Sequence, residues 1–367
     1  MKLIIGQKMS KIFDNKKVLI TGGTGSLGKT LVKRLLSEEY GKLKNLIIFS
    51  RDEAKQHAMR LSYENQEVAT DEVTYNNFNR TLQFRIGDIR NYSDIASAMK
   101  GVDIVINAAA LKQVPSSEYF PEQALKTNCD GANNIIKAIS ELDLKIETVV
   151  CISTDKACKP VNVMGLTKSL QERIFLSANI LNQTTRYIAV RYGNVFASRG
   201  SVIPLFHEQI NSGGPVTITV PEMTRFLLTL DQAVDTVCAA IKDAMPGEIF
   251  VPRAPASSVI NLAKALIGSR DIEIKITGIR PGEKLHEIMI SDEEAPYARK
   301  CGDFFAISSM LPELHSFKNN EFPNAVNGEY SSENSVISLD ETIKLLKVNS
   351  LMIEDSISIK NNEELLR

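Results

Sequence analysis

Short apolar runs alternate with segments of helical periodicity over the first half of the chain. The first run, KKVLI, is followed by the glycine-rich turn TGGTGSLG and the amphipathic segment KTLVKRLLSEEY. Further apolar runs follow at 45–50, 82–87, 102–110, 147–153 and 186–195. Apolar strands that alternate with helices are typical of a parallel sheet covered on both faces. We therefore predict an α/β fold with a doubly wound parallel sheet.

The alternation ends after Gly193, where glycines, prolines and short strand-like pieces take over. A helix at 230–244 and a strand at 248–253 indicate a return to the sheet. We predict three parts: a cofactor-binding domain at 1–198 that returns at 229–253, a smaller interleaved substrate lobe at 199–228 and 254–310, and a peripheral C-terminal tail at 311–367. The tail carries one amphipathic helix, predicted at 340–347, and no assigned chemistry.

Composition and charge exclude several function classes. Lys and Arg number 43 against 44 Asp and Glu, and Trp is absent, so neither a basic field nor aromatic platforms for nucleic acid are expected. Five scattered cysteines without CxxC spacing argue against a disulfide framework, and neither they nor the histidines predict a metal site. No apolar run reaches the roughly 18 residues of a membrane span. We expect a cytoplasmic protein without a membrane span.

The turn TGGTGSLG has the context of a dinucleotide-binding site. It follows a buried strand and opens a helix, whose N-terminal N–H groups can bind a pyrophosphate. The three-residue glycine spacing departs from GxGxxG and resembles the variant of short-chain dehydrogenases/reductases. The predicted cofactor contacts in this turn are Gly22, Thr24, Gly25, Ser26, Leu27 and Gly28.

The end of the second strand, FSRDE, bears on the choice between NADP and NAD. Arg51, with Ser50 beside it, is the candidate ligand of a 2′-phosphate, which predicts NADP. Asp52 keeps NAD as the alternative, and Ser50 with Glu53 also fits a helix capping box. Further cofactor contacts are predicted after the third and fourth strands, at Asp88, Ile89, Ala108, Ala109 and Lys112.

The fifth strand ends at a cluster that can carry chemistry. Thr154, Asp155 and Lys156 bring a hydroxyl, a carboxylate and an amine to the edge where ligands of doubly wound sheets bind. A solvated loop with a surface ion pair is the alternative. Met164 and Lys168 follow as an i,i+4 pair on one helix face. A short-chain dehydrogenase normally has Tyr at the first of these positions, and Met cannot carry a proton.

Eight ordered motifs extend this resemblance beyond the superfamily. They are TGGTGSLG, FSRDE, AALKQVP, STDKA, VNVMGLTK, RYGNVFASRGSVIPLF, MTRF and RPGEKLHE, from about Asn15 to Glu287. Together they resemble the UDP-N-acetylglucosamine 4,6-dehydratases of bacterial polysaccharide and glycoprotein sugar synthesis. Some members of that family have Tyr at the position of Met164 and others have Met. The resemblance implies a Rossmann domain that binds NADP and a homo-oligomer, either a dimer or a hexamer.

The resemblance also implies a reaction and roles for the cluster. Hydride leaves sugar C4 for NADP+, water is eliminated across C5 and C6, and the hydride returns to C6. Lys156 is the expected C5 base, Asp155 the acid that protonates the departing 6-hydroxyl, and Lys168 the ligand of the nicotinamide ribose. The C4 hydroxyl proton leaves through Thr154, Asp155 or a water. Burial near Lys168 is expected to lower the pKa of Lys156, and the acid role requires a raised pKa at Asp155.

The expected substrate is UDP-N-acetylglucosamine, whose diphosphate needs cations. The candidate substrate contacts are Lys112, Asn194, Arg199, Arg225, Arg280 and Glu283. Three alternatives remain open: an inverting 4,6-dehydratase/5-epimerase, a UDP-hexose 4-epimerase that uses the same fold and first step, and a non-catalytic NADP-binding regulator, suggested by Met164 alone.

Overall fold

The computed structural model describes residues 11–64, 72–196, 201–314 and 325–355. The strands are β1 (Lys17–Thr21), β2 (Asn45–Ser50), β3 (Leu82–Ile86), β4 (Ile104–Asn107), β5 (Thr148–Ile152), β6 (Arg186–Val190), β7 (Val216–Ile218), β8 (Thr224–Phe226), β9 (Ile249–Pro252), β10 (Ala256–Ser258), β11 (Ile274–Ile276), β12 (Ile288–Ile290), β13 (Ala298–Cys301), β14 (Phe304–Ile307) and β15 (Tyr330–Ser331). The helices are α1 (Ser26–Leu36), α2 (Glu53–Glu64), α3 (Glu72–Thr81), α4 (Tyr92–Ala98), α5 (Val114–Tyr119), α6 (Pro121–Leu125), α7 (Gly131–Glu141), α8 (Val163–Leu181), α9 (Val202–Asn211), α10 (Leu230–Asp243), α11 (Val259–Ile267) and α12 (Leu339–Val348).

Nine strands form one central sheet in the order β3-β2-β1-β4-β5-β6-β9-β14-β13. The strands from β3 to β9 run parallel, and β14 and β13 add an antiparallel edge. The strand order reverses between β1 and β4, which opens a crevice at their carboxyl ends. The predicted doubly wound α/β fold is confirmed.

Two apolar layers cover the sheet. Helices α4, α7 and α8 pack on one face through residues such as Ile95, Ile135 and Phe175. Helices α1 and α10 pack on the other through residues such as Leu31 and Val237. The inner strands β1, β4 and β5 are buried on both sides because their sequences are continuously apolar rather than alternating.

The smaller lobe has its own apolar core, built on α9 and α11 and on the short pairs β8 with β10 and β7 with β11. Residues 298–307, expected in this lobe, instead form β13 and β14 and cover the edge of β9. An antiparallel hairpin there satisfies hydrogen-bonding groups that β9 would otherwise expose.

The segment 325–355 lies within the lobe, although a peripheral tail was expected. Strand β15 pairs with β12, and helix α12 packs on α11. Leu346 and Ile353 are buried in the lobe core, because the apolar face of α12 needs a partner. In the part of the chain that the structure describes, no helix has both the length and the apolar character needed to span a bilayer.

Candidate active site

A cavity of about 830 Å³ opens at the carboxyl ends of the parallel strands, between the sheet and the lobe. It is bordered by the turn after β1, by the ends of β2, β4, β5 and β6, by α8 and by the loop 280–287. The predicted site residues that line it are Gly22, Thr24, Gly25, Ser26, Leu27, Gly28, Ser50, Arg51, Asp88, Ile89, Ala108, Ala109, Lys112, Thr154, Lys156, Met164, Lys168, Asn194, Arg225, Arg280 and Glu283. Asp155 is fully buried, and Arg199 lies outside the described residues.

The glycine turn brings backbone close to backbone at the sheet edge. Gly22 has φ +66°, and a Cβ added there would lie 2.8 Å from the Cα of Ala109. A Cβ on Gly28 would lie 2.4 Å from the carbonyl oxygen of Gly23. Helix α1 begins after Gly25, which has no side chain to cap it. The turn therefore leaves room for a phosphate group at a helix N-terminus.

The end of β2 separates the roles of Arg51 and Asp52. The Arg51 side chain is exposed at the cavity. Asp52 accepts a 3.0 Å hydrogen bond from the backbone N–H of Lys55 and pairs with the Lys55 ammonium, which holds the pKa of Asp52 below its usual value. Ser50 does not form the capping box, because its Oγ accepts a 3.0 Å hydrogen bond from Gln56.

The Lys156 ammonium lies among three oxygen atoms. Its Nζ is 3.0 Å from Asp155 Oδ1, 3.0 Å from Asn194 Oδ1 and 3.0 Å from Glu287 Oε1. Asp155 Oδ1 also accepts a 2.8 Å hydrogen bond from the Thr154 hydroxyl. The three nearby oxygens match the three donor hydrogens of an ammonium group.

Burial and neighbouring charges together set the pKa values of Asp155 and Lys156. Burial raises the pKa of Asp155, Lys156 lowers it, and the charge of Glu287 adds to the rise, so the net pKa lies above the usual value. Burial lowers the pKa of Lys156, but the carboxylates of Asp155 and Glu287 outweigh it, and the net pKa is raised. The expected lowering at Lys156 is therefore not found, since the sequence argument did not include Glu287.

Lys168 and Met164 lie one helical turn apart on α8 and are both buried. The Lys168 Nζ donates hydrogen bonds to the carbonyl oxygen of Ile152 and to Gln171 Oε1. Burial lowers the pKa of Lys168. Met164 lines the cavity where a tyrosine hydroxyl is usual in the superfamily, so this side chain offers no titrating proton.

The proposed substrate contacts fall into two groups. Arg225 is only 8% exposed, and its Nη1 donates to the carbonyl oxygens of Thr224 at 2.7 Å and Leu285 at 3.2 Å. Arg225 thus supports the loop 280–287 from within. Arg280 and Lys112 are exposed at the cavity, where their charges face solvent.

Two charged residues of the loop 280–287 line the cavity and were not predicted. Glu287 is 1% exposed, with Arg225 Nε 3.8 Å from its Oε1, and Lys156 and Arg225 outweigh burial to hold its pKa below the usual value. Lys284 donates a 2.6 Å hydrogen bond to the carbonyl oxygen of Cys158, and burial lowers its pKa. Both lie in RPGEKLHE, so this motif was the available signal.

The described residues place neither a cluster of metal-binding side chains nor a reactive thiol at the cavity. No group of three or more His, Cys, Asp or Glu side chains in these residues is arranged to hold a metal ion. Cys151 and Cys158 are buried beside the site, and burial raises the pKa of each thiol to about 12. Thiols with such pKa values are poor nucleophiles at neutral pH.

Known proteins resemble this chain over nearly its whole length. A UDP-glucose 4-epimerase of Rickettsia bellii (strain RML369-C) is 42% identical over 344 residues, which cover 91% of this chain and 96% of that protein. The structure of Pen from Bacillus thuringiensis is 35% identical, covers 93% of this chain and 99% of that chain, and has a TM-score of 0.81.

A more distant structure shares the fold. DesIV, a dTDP-glucose 4,6-dehydratase from Streptomyces venezuelae with NAD and TYD bound, has a TM-score of 0.61 at 20% identity, covering 73% of this chain and 86% of that chain. The polysaccharide biosynthesis protein family matches residues 18–309, a span that contains all nine strands of the central sheet apart from Lys17, the first residue of β1. From this match and the close relatives, the chain belongs to the polysaccharide biosynthesis protein family.

Proposed function

We propose that this protein is an NADP-dependent 4,6-dehydratase of a nucleotide sugar, with UDP-N-acetylglucosamine as its substrate. The observation that carries the proposal is the contact between Asp155 and Lys156 at the cavity, because elimination of water needs an acid and a base together. The glycine turn and the buried Met164 border the same cavity. The names of the related UDP-glucose 4-epimerases support a nucleotide sugar as the ligand class.

The residues present fit a dinucleotide cofactor. Gly22 and Gly28 leave space that a Cβ would fill, and the buried Ser153 hydroxyl has no hydrogen-bond partner among the described residues. Arg51 supports NADP, since its guanidinium is exposed while Asp52 is engaged by Lys55. When bound, the nicotinamide would supply the hydride acceptor and donor of the reaction. The bound NAD in DesIV supports a nicotinamide cofactor.

One proton transfer converts the resting pair into an acid and a base. Moving a proton from Lys156 Nζ to Asp155 Oδ1, over 3.0 Å, gives a neutral amine and a carboxylic acid. The amine can then take the C5 proton, and the carboxylic acid can protonate the departing 6-hydroxyl, which leaves as water. The raised pKa of Asp155 favours its protonated form. Because the groups are coupled, they titrate as a unit.

The diphosphate of the substrate needs cations that are not already neutralised. Arg280 fits this role because it is exposed at the cavity. Asn194 and Glu283 are proposed contacts of the phosphate and of the uridine ribose. Arg199 and Lys112 stay predicted contacts of the substrate.

Proton NMR of the protein with UDP-N-acetylglucosamine and NADP+ tests the proposal. A new C6 methyl doublet is the expected result, and its absence in the presence of an inverted C4 would contradict dehydration. The same reaction in deuterated water gives the C5 configuration, which separates a retaining dehydratase from the inverting dehydratase/5-epimerase. No turnover of any kind would favour the non-catalytic regulator.

A 4-epimerase is the second candidate. The observation that favours it is the name of relatives that are 42% identical to this chain. Epimerisation needs no acid and base for elimination, so it gives no role to the Asp155–Lys156 contact. An altered C4 configuration without a C6 methyl group is the result that would decide for it.

A further inference from the structure

Glu287 contacts the acid–base pair from the other side of the cavity. It lies immediately before β12, in the lobe, whereas Asp155 and Lys156 follow β5 of the central sheet. Its Oε1 is 3.0 Å from Lys156 Nζ. We propose that Glu287 is a positioning residue of the acid–base pair, whose carboxylate holds Lys156 Nζ beside Asp155. This inference rests on the proposed function and adds a third member to its acid–base machinery.

The surroundings of Glu287 hold its carboxylate in one place. Its backbone N–H donates a 2.9 Å hydrogen bond to Ser332 Oγ, and its carbonyl oxygen accepts a 2.8 Å hydrogen bond from the backbone N–H of Ser332. Arg225 Nε lies 3.8 Å from Oε1. A side chain fixed through its backbone on both sides can orient a flexible lysine.

One oxygen of the carboxylate has no such restraint. Glu287 Oε2 is buried without a hydrogen-bond partner among the described residues. Asp155 Oδ2 is likewise buried without a hydrogen-bond partner among the described residues. A purely structural buried ion pair gains stability only when its remaining lone pairs are satisfied. Two carboxylates around one lysine, each with one oxygen that has no partner among the described residues, therefore favour a functional arrangement over a stabilising one.

The charge of Glu287 also affects the pH at which Asp155 and Lys156 take up protons. The charges of Asp155, Glu287 and Arg225 act on Lys156. Lys284 interacts with Glu287, Asp155 and Lys156. The Glu287 charge raises the pKa of both Asp155 and Lys156. Removing the Glu287 charge lowers both pKa values. The fully protonated pair, with a carboxylic acid at Asp155 and an ammonium at Lys156, then loses a proton at a lower pH.

Glu287→Gln tests this, because it keeps the shape and removes the charge. The acidic limb of kcat, with UDP-N-acetylglucosamine and NADP+, is expected to move to lower pH by about 1 unit. The 13Cε resonance of Lys156, assigned with Lys156→Arg, reports the same change without turnover. In Glu287→Gln it is expected to titrate at a lower pH than in the wild type, because the charge of Glu287 raises the pKa of Lys156. Glu333→Gln is the matched control, since Glu333 is exposed and faces His286.

The kcat profile and the Lys156 resonance together distinguish failure of the proposed function from failure of the role of Glu287. If the wild type does not dehydrate the sugar but the Lys156 resonance moves in Glu287→Gln, the proposed function fails and the link from Glu287 to Lys156 stands. If the resonance and the acidic limb both match the wild type, the role of Glu287 is overturned. Should Glu287→Gln not fold, Glu287→Asp keeps the charge but shortens the side chain. It is then expected to lower kcat while leaving the pH profile in place, and an unchanged kcat would overturn the positioning role.

Discussion

Ser332 Oγ accepts a 2.9 Å hydrogen bond from the backbone N–H of Glu287, and this contact joins the C-terminal segment to the acid–base centre. The same Oγ lies 2.7 Å from Thr224 Oγ1, next to Arg225. Ser332 is completely buried. One hydroxyl therefore ties together the two lobe segments that reach Lys156.

Ser332→Ala is expected to weaken both the fold and the reaction. It leaves the buried N–H of Glu287 without a partner, which costs about 1–3 kcal/mol of unfolding free energy. Urea unfolding measures this cost, and kcat is expected to fall with it because Glu287 loses an anchor. Ser335→Ala is the control, since Ser335 Oγ donates a 3.1 Å hydrogen bond to the carbonyl oxygen of Ser331 in its own segment. Equal losses in both variants would contradict the anchoring role.

Lys156→Met is expected to abolish the elimination. It keeps most of the side-chain volume but removes the amine, so solvent deuterium incorporation at C5 should fall by at least about 10²-fold. Mass spectrometry of the sugar nucleotide after reaction in deuterated water measures it. Lys159→Met is the control, because Lys159 pairs with Asp292 and Glu329 outside the main cavity. Wild-type incorporation in Lys156→Met would exclude Lys156 as the base.

Met164→Leu is expected to keep turnover within about threefold of the wild type, because a volume-conserving swap changes packing little. Met164 carries no proton, so the C4 hydroxyl proton must leave by another group. Steady-state kcat measures the effect. The companion variant Thr154→Val removes the hydroxyl beside Asp155 and should lower kcat more. A large loss in Met164→Leu alone would show that the thioether has a specific role.

Arg51→Ala is expected to weaken NADP+ binding by about 10- to 100-fold, the range for hydrogen bonds to a charged group. NAD+ binding should change little, because it lacks the 2′-phosphate. Calorimetric titration with each cofactor measures the two affinities. Arg60→Ala is the control, because Arg60 lies on α2, the helix that follows Arg51, and its guanidinium lies over the Phe84 ring. Equal losses for both cofactors in Arg51→Ala would contradict the assignment.

The buried ion cluster of Arg191, Glu172 and Glu294 makes the fold sensitive to acid. Arg191 donates 2.7 Å hydrogen bonds to both carboxylates. Burial raises the pKa of Glu294, but Arg191 outweighs it, and the net pKa is lowered. A lowered pKa stabilises the fold above the usual Glu value of about 4.3, and this stability is lost as the pH falls below it.

Glu294→Gln should therefore cost about 3–5 kcal/mol at neutral pH, the usual cost of breaking a buried pair. The cost should shrink as the pH is lowered below the usual Glu value, where the wild type also loses the charge. Thermal unfolding at a series of pH values measures this. Glu293→Gln, next to it but exposed, is expected to behave as the wild type. A loss that does not depend on pH would contradict the electrostatic explanation.

The parallel core could be predicted from the sequence because its signal is local. Strand β2 occupies the predicted 45–50, since a buried parallel strand is a continuous apolar run between polar segments. The edge hairpin was missed because ARKCGDFFAI mixes charged and apolar residues, as edge strands do. The pairing of β12 with β15 joins segments about 40 residues apart, and no local pattern carries that information.

The candidate site also has one part that the sequence predicts and another that depends on the folding of the lobe. The glycine turn and the cluster after β5 are contiguous in sequence, so residue type and spacing were enough to bring them to one edge. Glu287 reaches Lys156 only through the folding of the lobe, and its effect on the pKa of Lys156 could not be foreseen from either segment alone. Arg225 looked like a free cation in the sequence, but backbone carbonyls bind it in the fold.

The pairing of β12 with β15 has a consequence for the order in which the protein matures. A nascent chain translated through residue 329 already contains all nine strands of the central sheet and Glu287 itself. It lacks the Ser332 hydroxyl that holds Glu287, because Ser332 has not yet been translated. Folding generally proceeds from the N-terminus during synthesis, so the sheet strands are available before this contact. Translation thus separates completion of the sheet from completion of the acid–base centre.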